Sequence, residues 1–459
     1  MTINLRVLLV LTMATFGAHG ATPSFAQSGA VPQGAAGGNV RQAPGANGQT
    51  LDVSVSATAA YDSDLSVEPS AATPFLFGPE LITNSNQLVG NGRYQWRARD
   101  VQFQANGTSQ WVHDRRTGLI TGLSHAAAGN LTARLPRHMT LLVDQTTTHT
   151  ASPLYSLFPR VGATGGEARA VAPDSGANET ETYAYAAQAT LEQALTRRNS
   201  LSVSTNGDYA RTAGRRTTNN QSELAAYGMS SRFARLVTRN ARATVRYSYR
   251  TGSFPNVNVP TLTAIKPGRG VQLSEHGAEM GLAYDRPLSP TRRMVFDVVL
   301  GGIVLAPRDQ LLTGSRRLTE SYRLVGEAGA LYVFGKTWQA EATYRRGVDY
   351  VPGLSEPVLT DGFSGRMEGA FSRRVQLQGA VSYASGTSAL LRGGASFDTY
   401  TSDVKLTVML ARALATHVQY VYYVYDFRRF GPLAAGIPPA LERNGLRVGF
   451  TLSVPTLDW

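Results

Sequence analysis

The chain has no cysteine among its 459 residues. That excludes a disulfide framework, a thiolate metal site and a lipid-bearing cysteine anchor. Beyond one short segment near the N-terminus there is no apolar run approaching 18 residues, so no transmembrane helix is encoded. No Walker-type loop and no dinucleotide-binding glycine pattern occurs, and no cofactor is expected. Charge is sparse too: 17% of residues are Asp, Glu, Lys or Arg. Yet the mean hydropathy is only −0.17, which points to polar and apolar residues finely interleaved.

The interleaving is plainest at the C-terminus. Leu446, Val448, Phe450, Leu452 and Val454 alternate with Arg447, Gly449, Thr451 and Ser453. Period-two alternation places the two sets on opposite faces of a strand. The same pattern begins at Leu51 and recurs as hairpins: 119–134 with 139–150, 181–195 with 200–212, and 221–236 with 241–251. It continues with 271–286 and 293–306, 319–334 and 337–350, 359–371 and 375–385, and 399–410 and 417–427. With strands near 51–59, 87–97, 101–111 and 441–454, the expectation is all-β, one antiparallel barrel of about 18 strands, 16 being the alternative count. Short Arg-bearing turns alternate with longer connections along the whole chain. That asymmetry fits periplasmic turns and extracellular loops of a transmembrane barrel. Asn-Gly, a strong hairpin signal, falls at Asn91-Gly92, Asn106-Gly107 and Asn206-Gly207. The alternation runs through each, so these are kept as strand.

Residues 1–26 have the layout of a secretory signal: Arg6, then apolar Val7 to Phe16, then Ser24-Phe25-Ala26 at the cleavage positions, with cleavage after Gly20 as an alternative. Residues 27–49 are rich in Gly, Ala, Pro and Gln and read as a disordered periplasmic linker. The barrel is assigned to 50–459. Only this short linker separates signal from first strand, which argues against a plug domain and an energy-coupled receptor. The net charge of +12 would suggest nucleic acid in a cytosolic chain. Behind an export signal it points instead to lipid A phosphates at the rim and to an anion bias inside, and no nucleic-acid partner is expected.

Assigning the more apolar row of each strand to lipid leaves a charged inner row. Its members are Arg242, Arg246 and Arg250; Glu275 and Glu279, with Asp297 following; Arg323 and Glu327; Glu341 and Arg345; Arg366 and Glu368; Lys405 and Arg447. A charge turned to lipid would cost about 2–4 kcal/mol at mid-depth. The sharp reading is a charged constriction that sorts solutes; the plain one is a polar wall that neutralises itself. Strand 221–236 stays ambiguous, because either phase leaves polar residues outside. Tyr94, Trp96, Trp111, Tyr247, Tyr249, Trp338, Tyr344, Tyr420 and Tyr422 suit interfacial girdles. A sugar-stacking track would need several inward rings in a row, and at most two, Tyr423 and Tyr425, share one strand. His113, His125, His138, His149, His276 and His417 show no metal-ligand spacing on one strand face. No metal site and no enzyme is expected.

The turn-plus-strand units Leu195-Thr196-Arg197-Arg198-Asn199-Ser200-Leu201-Ser202-Val203 and Phe371-Ser372-Arg373-Arg374-Val375-Gln376-Leu377, with the ending Leu446 to Leu452, resemble bacterial outer-membrane barrels of porin type. Within that group the chain is similar to β-barrel porins found with exopolysaccharide export systems. The resemblance implies a Gram-negative outer-membrane location reached through the general secretory pathway. It also implies insertion by the barrel-assembly machinery, contact with outer-membrane lipid and lipopolysaccharide, and polysaccharide-export proteins as partners. Such barrels end on an aromatic residue in phase with the lipid face. Trp459 is out of phase with Phe450, and Pro455 cannot donate to a ladder. Phe450 is therefore expected to close the last strand, with 455–459 as a tail. Two functions fit: a passive channel for small polar or anionic solutes, or a structural or assembly barrel partnering an export machinery and plugged by its own loops, with 152–178 as the plug.

Overall fold

A computed structural model describes residues 48–64, 82–114, 120–150, 180–214, 222–254, 271–307, 312–313, 316–317, 320–350, 357–390, 396–427 and 440–458. Among them there is no helix. The 18 strands of one sheet are β1 (Gly48–Asp64), β2 (Ile82–Arg97), β3 (Val101–Asp114), β4 (Ile120–Leu135), β5 (Met139–Thr150), β6 (Thr180–Ala194), β7 (Asn199–Gly214), β8 (Ser222–Leu236) and β9 (Ala241–Phe254). The ring continues with β10 (Val271–Ser289), β11 (Arg292–Pro307), β12 (Ser321–Phe334), β13 (Trp338–Asp349), β14 (Val358–Ala370), β15 (Val375–Ser388), β16 (Ser396–Met409), β17 (Leu414–Asp426) and β18 (Ala440–Asp458). A separate two-residue hairpin, Leu312–Thr313 with Arg316–Arg317, sits in the connection before β12. The 1–26 signal, nearly all of the 27–49 linker and loop 152–178 lie outside the described residues. Gly48 and Gln49 belong to the barrel, not the linker, because they pair with Arg97 and Trp96.

Each strand pairs antiparallel with its neighbour in sequence, and β18 pairs with β1 from Asp64↔Arg443 to Thr50↔Asp458. The sheet is therefore a closed transmembrane barrel without an exposed edge, the condition for a sheet to cross lipid. The Asn-Gly pairs stay within strands: Asn91 and Gly92 face Thr108 and Gly107, and Asn206 faces Gly228. Neighbours on both sides claim their backbone groups, so tertiary pairing overrides the local turn preference.

The last strand corrects an expectation. It does not end near Phe450 but runs on to Asp458. Between Val53↔Val454 and Leu51↔Leu457, Pro455 and Thr456 stand against the single residue Asp52. This β-bulge seats the proline where the ladder is already interrupted. It also advances the register by one, so position 457 faces Leu51. Trp459 lies outside the described residues.

Three of the short turns share one device. Thr196 Oγ1 accepts from the backbone N–H of Arg198 (3.2 Å) and Asn199 (3.0 Å). Thr238 does the same for Asn240 (3.3 Å) and Ala241 (3.0 Å), and Ser372 for Arg374 and Val375 (3.2 Å each). The hydroxyl satisfies donors the turn would leave open, and the following Arg projects into water. This accounts for the recurrent Thr/Ser-Arg pair at these turns.

Candidate functional site

The apolar row of each strand faces out: Val53 and Val55, Leu88, Val203, Val245, Met280 and Leu282, Val298 and Leu300, Val404 and Leu406, and Leu446, Val448, Phe450, Leu452 and Val454 are all exposed. The ambiguous β8 resolves with Tyr227, Met229 and Phe233 exposed and Leu224, Ala226 and Ala234 buried. Its outer row also carries Glu223 and Arg235, both exposed.

The opposite row lines the interior. On β9 and β10, Arg250 faces Glu275 and Arg246 faces Glu279 in direct register. Glu327 of β12 faces Arg345 of β13, and Glu341 of β13 faces Arg366 of β14. Register opposition is not the same as pairing. Arg246 Nη1 lies 3.5 Å from Glu279 Oε2, at the edge of hydrogen-bond range. Arg250 instead binds Asp208 of β7 at 3.1 Å. Arg345 makes a two-pronged contact with Asp349 on its own strand, at 2.8 and 3.2 Å. Arg366 turns to Glu368 at 2.5 Å, and Glu368 also accepts from Gln339. Asp208 and Asp349 were not singled out from sequence. Their parity was visible, since Asp349 follows Arg345 by four on one face. Arg232 of β8 directly faces Arg246, a like-charge opposition that places a third guanidinium beside this cluster. Arg242 sits lower on β9, opposite Ala283.

The interior narrows where chain ends fold in. The β12–β13 ladder stops at Gly326↔Arg346, while the β11–β12 ladder continues to Leu305↔Ser321. The end of β13 is thus released from β12, and Tyr350 just beyond it reaches back past β12 and β11 to β10 and β9. Its hydroxyl donates to Glu275 Oε2 at 3.0 Å, and the Arg250 guanidinium stacks 4.0 Å above its ring. Gly252 permits the approach: a Cβ there would stand 2.7 Å from Tyr350 Cε1. After β15 the chain folds in as well. Arg323 Nε and Nη2 donate to the Ala389 carbonyl at 3.0 and 2.9 Å, and Ser321 Oγ at 3.1 Å. Tyr350, Ala389, Leu273, Ile303 and Leu305 form one buried apolar cluster. These inward ends, and not a segment legible in the sequence, narrow the described interior.

Between the two charged ladders lies a recess of about 120 Å³ lined by Arg246, Glu275, Glu279, Glu327 and Arg345, with Val299, Ile303 and Val325 as apolar surface. Gly301 of β11 makes room, because a Cβ there would meet Glu279 Cγ at 2.6 Å and the Ala278 carbonyl at 2.4 Å. Lys405 faces Gln419, which donates to Asp403. Arg447, like Arg443 on the same row, is buried. Asp297 lies on the inner row of β11 opposite Gly329.

The inward aromatic row is longer than the two rings expected. Tyr423, Tyr425, Phe427 and Phe397 run in sequence with centroids 6.4, 5.7 and 4.8 Å apart. Parity alone could not bring in Phe397 from the neighbouring strand. All four are fully buried, so the row is packing surface and offers no open ring face. Outward aromatics gather at both ends. Tyr94, Trp96 and Trp338 stand near the short turns, with Trp338 at 5.0 Å from Phe371. Trp111, Tyr247, Tyr249, Tyr344, Tyr420 and Tyr422 stand toward the long connections. There Tyr344 donates to Asp361 (2.8 Å), Tyr420 to Asn444 (2.6 Å) and Tyr422 to Glu442 (3.0 Å).

Two histidines far apart in sequence meet on the outer face: His125 faces His149, with rings stacked at 5.9 Å. Ser109 Oγ lies 2.7 Å from His125 Nδ1. The ring neighbours of His125 are Trp111 and His149, which supply no orienting carboxylate of the kind a Ser–His nucleophile requires. Among the described residues no group of three His, Cys, Asp or Glu could hold a metal ion.

No protein-family model and no curated protein matches the chain. Solved structures similar to it include OpdL of Pseudomonas aeruginosa, at 12% identity and TM-score 0.39 over 88% of this chain and 99% of that one. OccK7 (OpdD) of the same organism aligns at 9% identity and TM-score 0.42, covering 88% and 98%. The siderophore receptor PirA of P. aeruginosa aligns at 10% identity and TM-score 0.39, covering 88% and 80%.

Proposed function

We propose that the chain is a porin-like channel of a bacterial outer membrane, passing small polar solutes by diffusion through a lumen narrowed on one side. The observation that carries this is the closed 18-strand ring whose outer row is apolar and whose inner row is polar and ion-paired. A ring of this size encloses an aqueous interior. The net charge of +12 favours anions. The pairing of inner Arg with Asp and Glu keeps that preference small. Single-channel conductance of the refolded protein in a planar bilayer, with reversal potential under a salt gradient, tests the proposal. A steady conductance that scales with salt supports it. Silence from protein shown independently to be folded and inserted overturns it.

The contacts of Tyr350 and Ala389 favour a second reading, a barrel closed by its own connections and serving beside an export machinery. It predicts silence that ends when Tyr350 is truncated, and co-purification of a polysaccharide-export partner. That partner class is carried by the sequence resemblance alone.

A further inference from the structure

We propose that the recess between the β9–β10 and β12–β13 ladders binds a small zwitterion, with the size and charge layout of a short-chain α-amino acid. The proposal rests on the channel reading and names the solute class this narrow part recognises. The recess holds about 120 Å³, room for several waters. That accommodates a molecule of a few heavy atoms. Its charged groups are of both signs: Arg246, Arg250, Arg345 and Arg346 against Glu275, Glu279 and Glu327. A lone carboxylate entering there meets three like charges, and a lone amine meets four. A solute carrying both ends can set each against its opposite, and specificity follows from that repulsion as much as from attraction.

The local geometry orders the two ends. Arg345 is held by Asp349 and Arg250 by Asp208. The contact of Arg246 with Glu279 is long, at 3.5 Å, so its planar fork of donors can turn to an incoming carboxylate. Glu275 is fixed by the Tyr350 hydroxyl on Oε2, and a carboxylate accepts on both oxygens. It is the acceptor for the ammonium end. Val299, Ile303 and Val325 give the short side chain an apolar surface.

The test is isothermal titration of the full chain in detergent micelles with L-alanine, propionate, isopropylamine and glycerol, beside bilayer conductance of the same preparation. L-alanine is expected to bind, and propionate and isopropylamine at least about tenfold more weakly, since each lacks one charge-assisted bond. Arg246→Met should erase the preference of L-alanine over isopropylamine. Glu275→Gln should erase its preference over propionate. Heat-dependent electrophoretic mobility verifies the folded barrel, and Tyr350→Phe, which keeps every wall charge, should weaken L-alanine binding without inverting the order. Equal binding of propionate and L-alanine overturns the proposal in favour of an anion site. Absence of L-alanine binding to a conducting protein overturns it and leaves the channel standing. L-alanine binding with this selectivity in a protein that never conducts supports the recess and overturns the channel.

Discussion

The two walls of the lumen are made of different chemistry. From β2 to β6 the inner rows are mainly amides and hydroxyls, tied by neutral bonds: Thr108 to Asn91 (2.8 Å), Gln110 to Gln87 (3.2 Å), Gln188 to Thr190 (3.3 Å). On β3 the inner row from Gln102 to Val112 has no charge at all. From β9 to β14 the inner rows carry guanidiniums and carboxylates, and the chain ends that narrow the interior dock on this wall. The outer surfaces differ in step. Gly90, Gly92, Ala105, Gly107, Ala127 and Gly129 lie outside the neutral wall, and Val245, Met280, Leu282, Phe296 and Leu300 outside the charged one. A neutral amide exchanges its partner for water at little net cost, about 1 kcal/mol. A half-buried ion pair is different, since losing one partner leaves a charge without compensation. The comparison therefore locates specificity and structural sensitivity on one side of the ring.

The largest test of that contrast is at Asp208, where the neutral wall ends. Its carboxylate is 2% exposed and holds Arg250, which is 17% exposed. Asp208→Ala is expected to destabilise the barrel by about 3–5 kcal/mol, read as a lower urea midpoint for unfolding from micelles. Adding Arg250→Met should restore only part of the loss, because it removes the stranded guanidinium but also takes its charge from the facing Glu275. A double-mutant cycle with no coupling would show that the pair is incidental.

Next in size is the inward Tyr350. Tyr350→Ala should raise unitary conductance by withdrawing the ring from the lumen. Gly252→Val should do the same from the opposite side, since its Cβ would stand 2.7 Å from Cε1 of that ring. Both together should add little to either alone. Tyr350→Phe loses only the bond to Glu275, a hydrogen bond to a charged group worth about 1.5–3 kcal/mol. Unchanged conductance in all of these would remove Tyr350 from the constriction.

The sequence shows this architecture clearly and the site only in part. Parity exposed the rows, so Arg246 and Glu279 could be assigned to one face before any register was known. At mid-depth lipid gives a charge no partner, which makes parity dependable there, and the outer-row Glu223 and Arg235 of β8 stand only at its ends. Partners were not legible. Arg250 passes over the opposed Glu275 to reach Asp208, a choice set by side-chain direction across two ladders. Tyr350 reads as the last residue of a strand, and its reach to Gly252 depends on the β12–β13 ladder ending at Gly326↔Arg346, which no local pattern encodes. Pro455 shows the reverse error. A strong local rule against strand continuation failed because a bulge opposite Asp52 absorbed the missing donor.

The smallest effect sharpens the comparison most. Thr108→Val keeps shape and removes one hydroxyl from the neutral wall. The hydroxyl donates to Asn91 Oδ1 at 2.8 Å, and that amide also donates to Ser54 at 3.5 Å. Asn91 stands on the inner row, where lumen water can replace the lost donor. The expected loss is about 1 kcal/mol or less, with unitary conductance and its salt dependence unchanged. If Thr108→Val altered conductance as much as Tyr350→Ala does, the neutral wall would share the narrowest section. The zwitterion recess would then be a side feature of the lumen and not its selective passage.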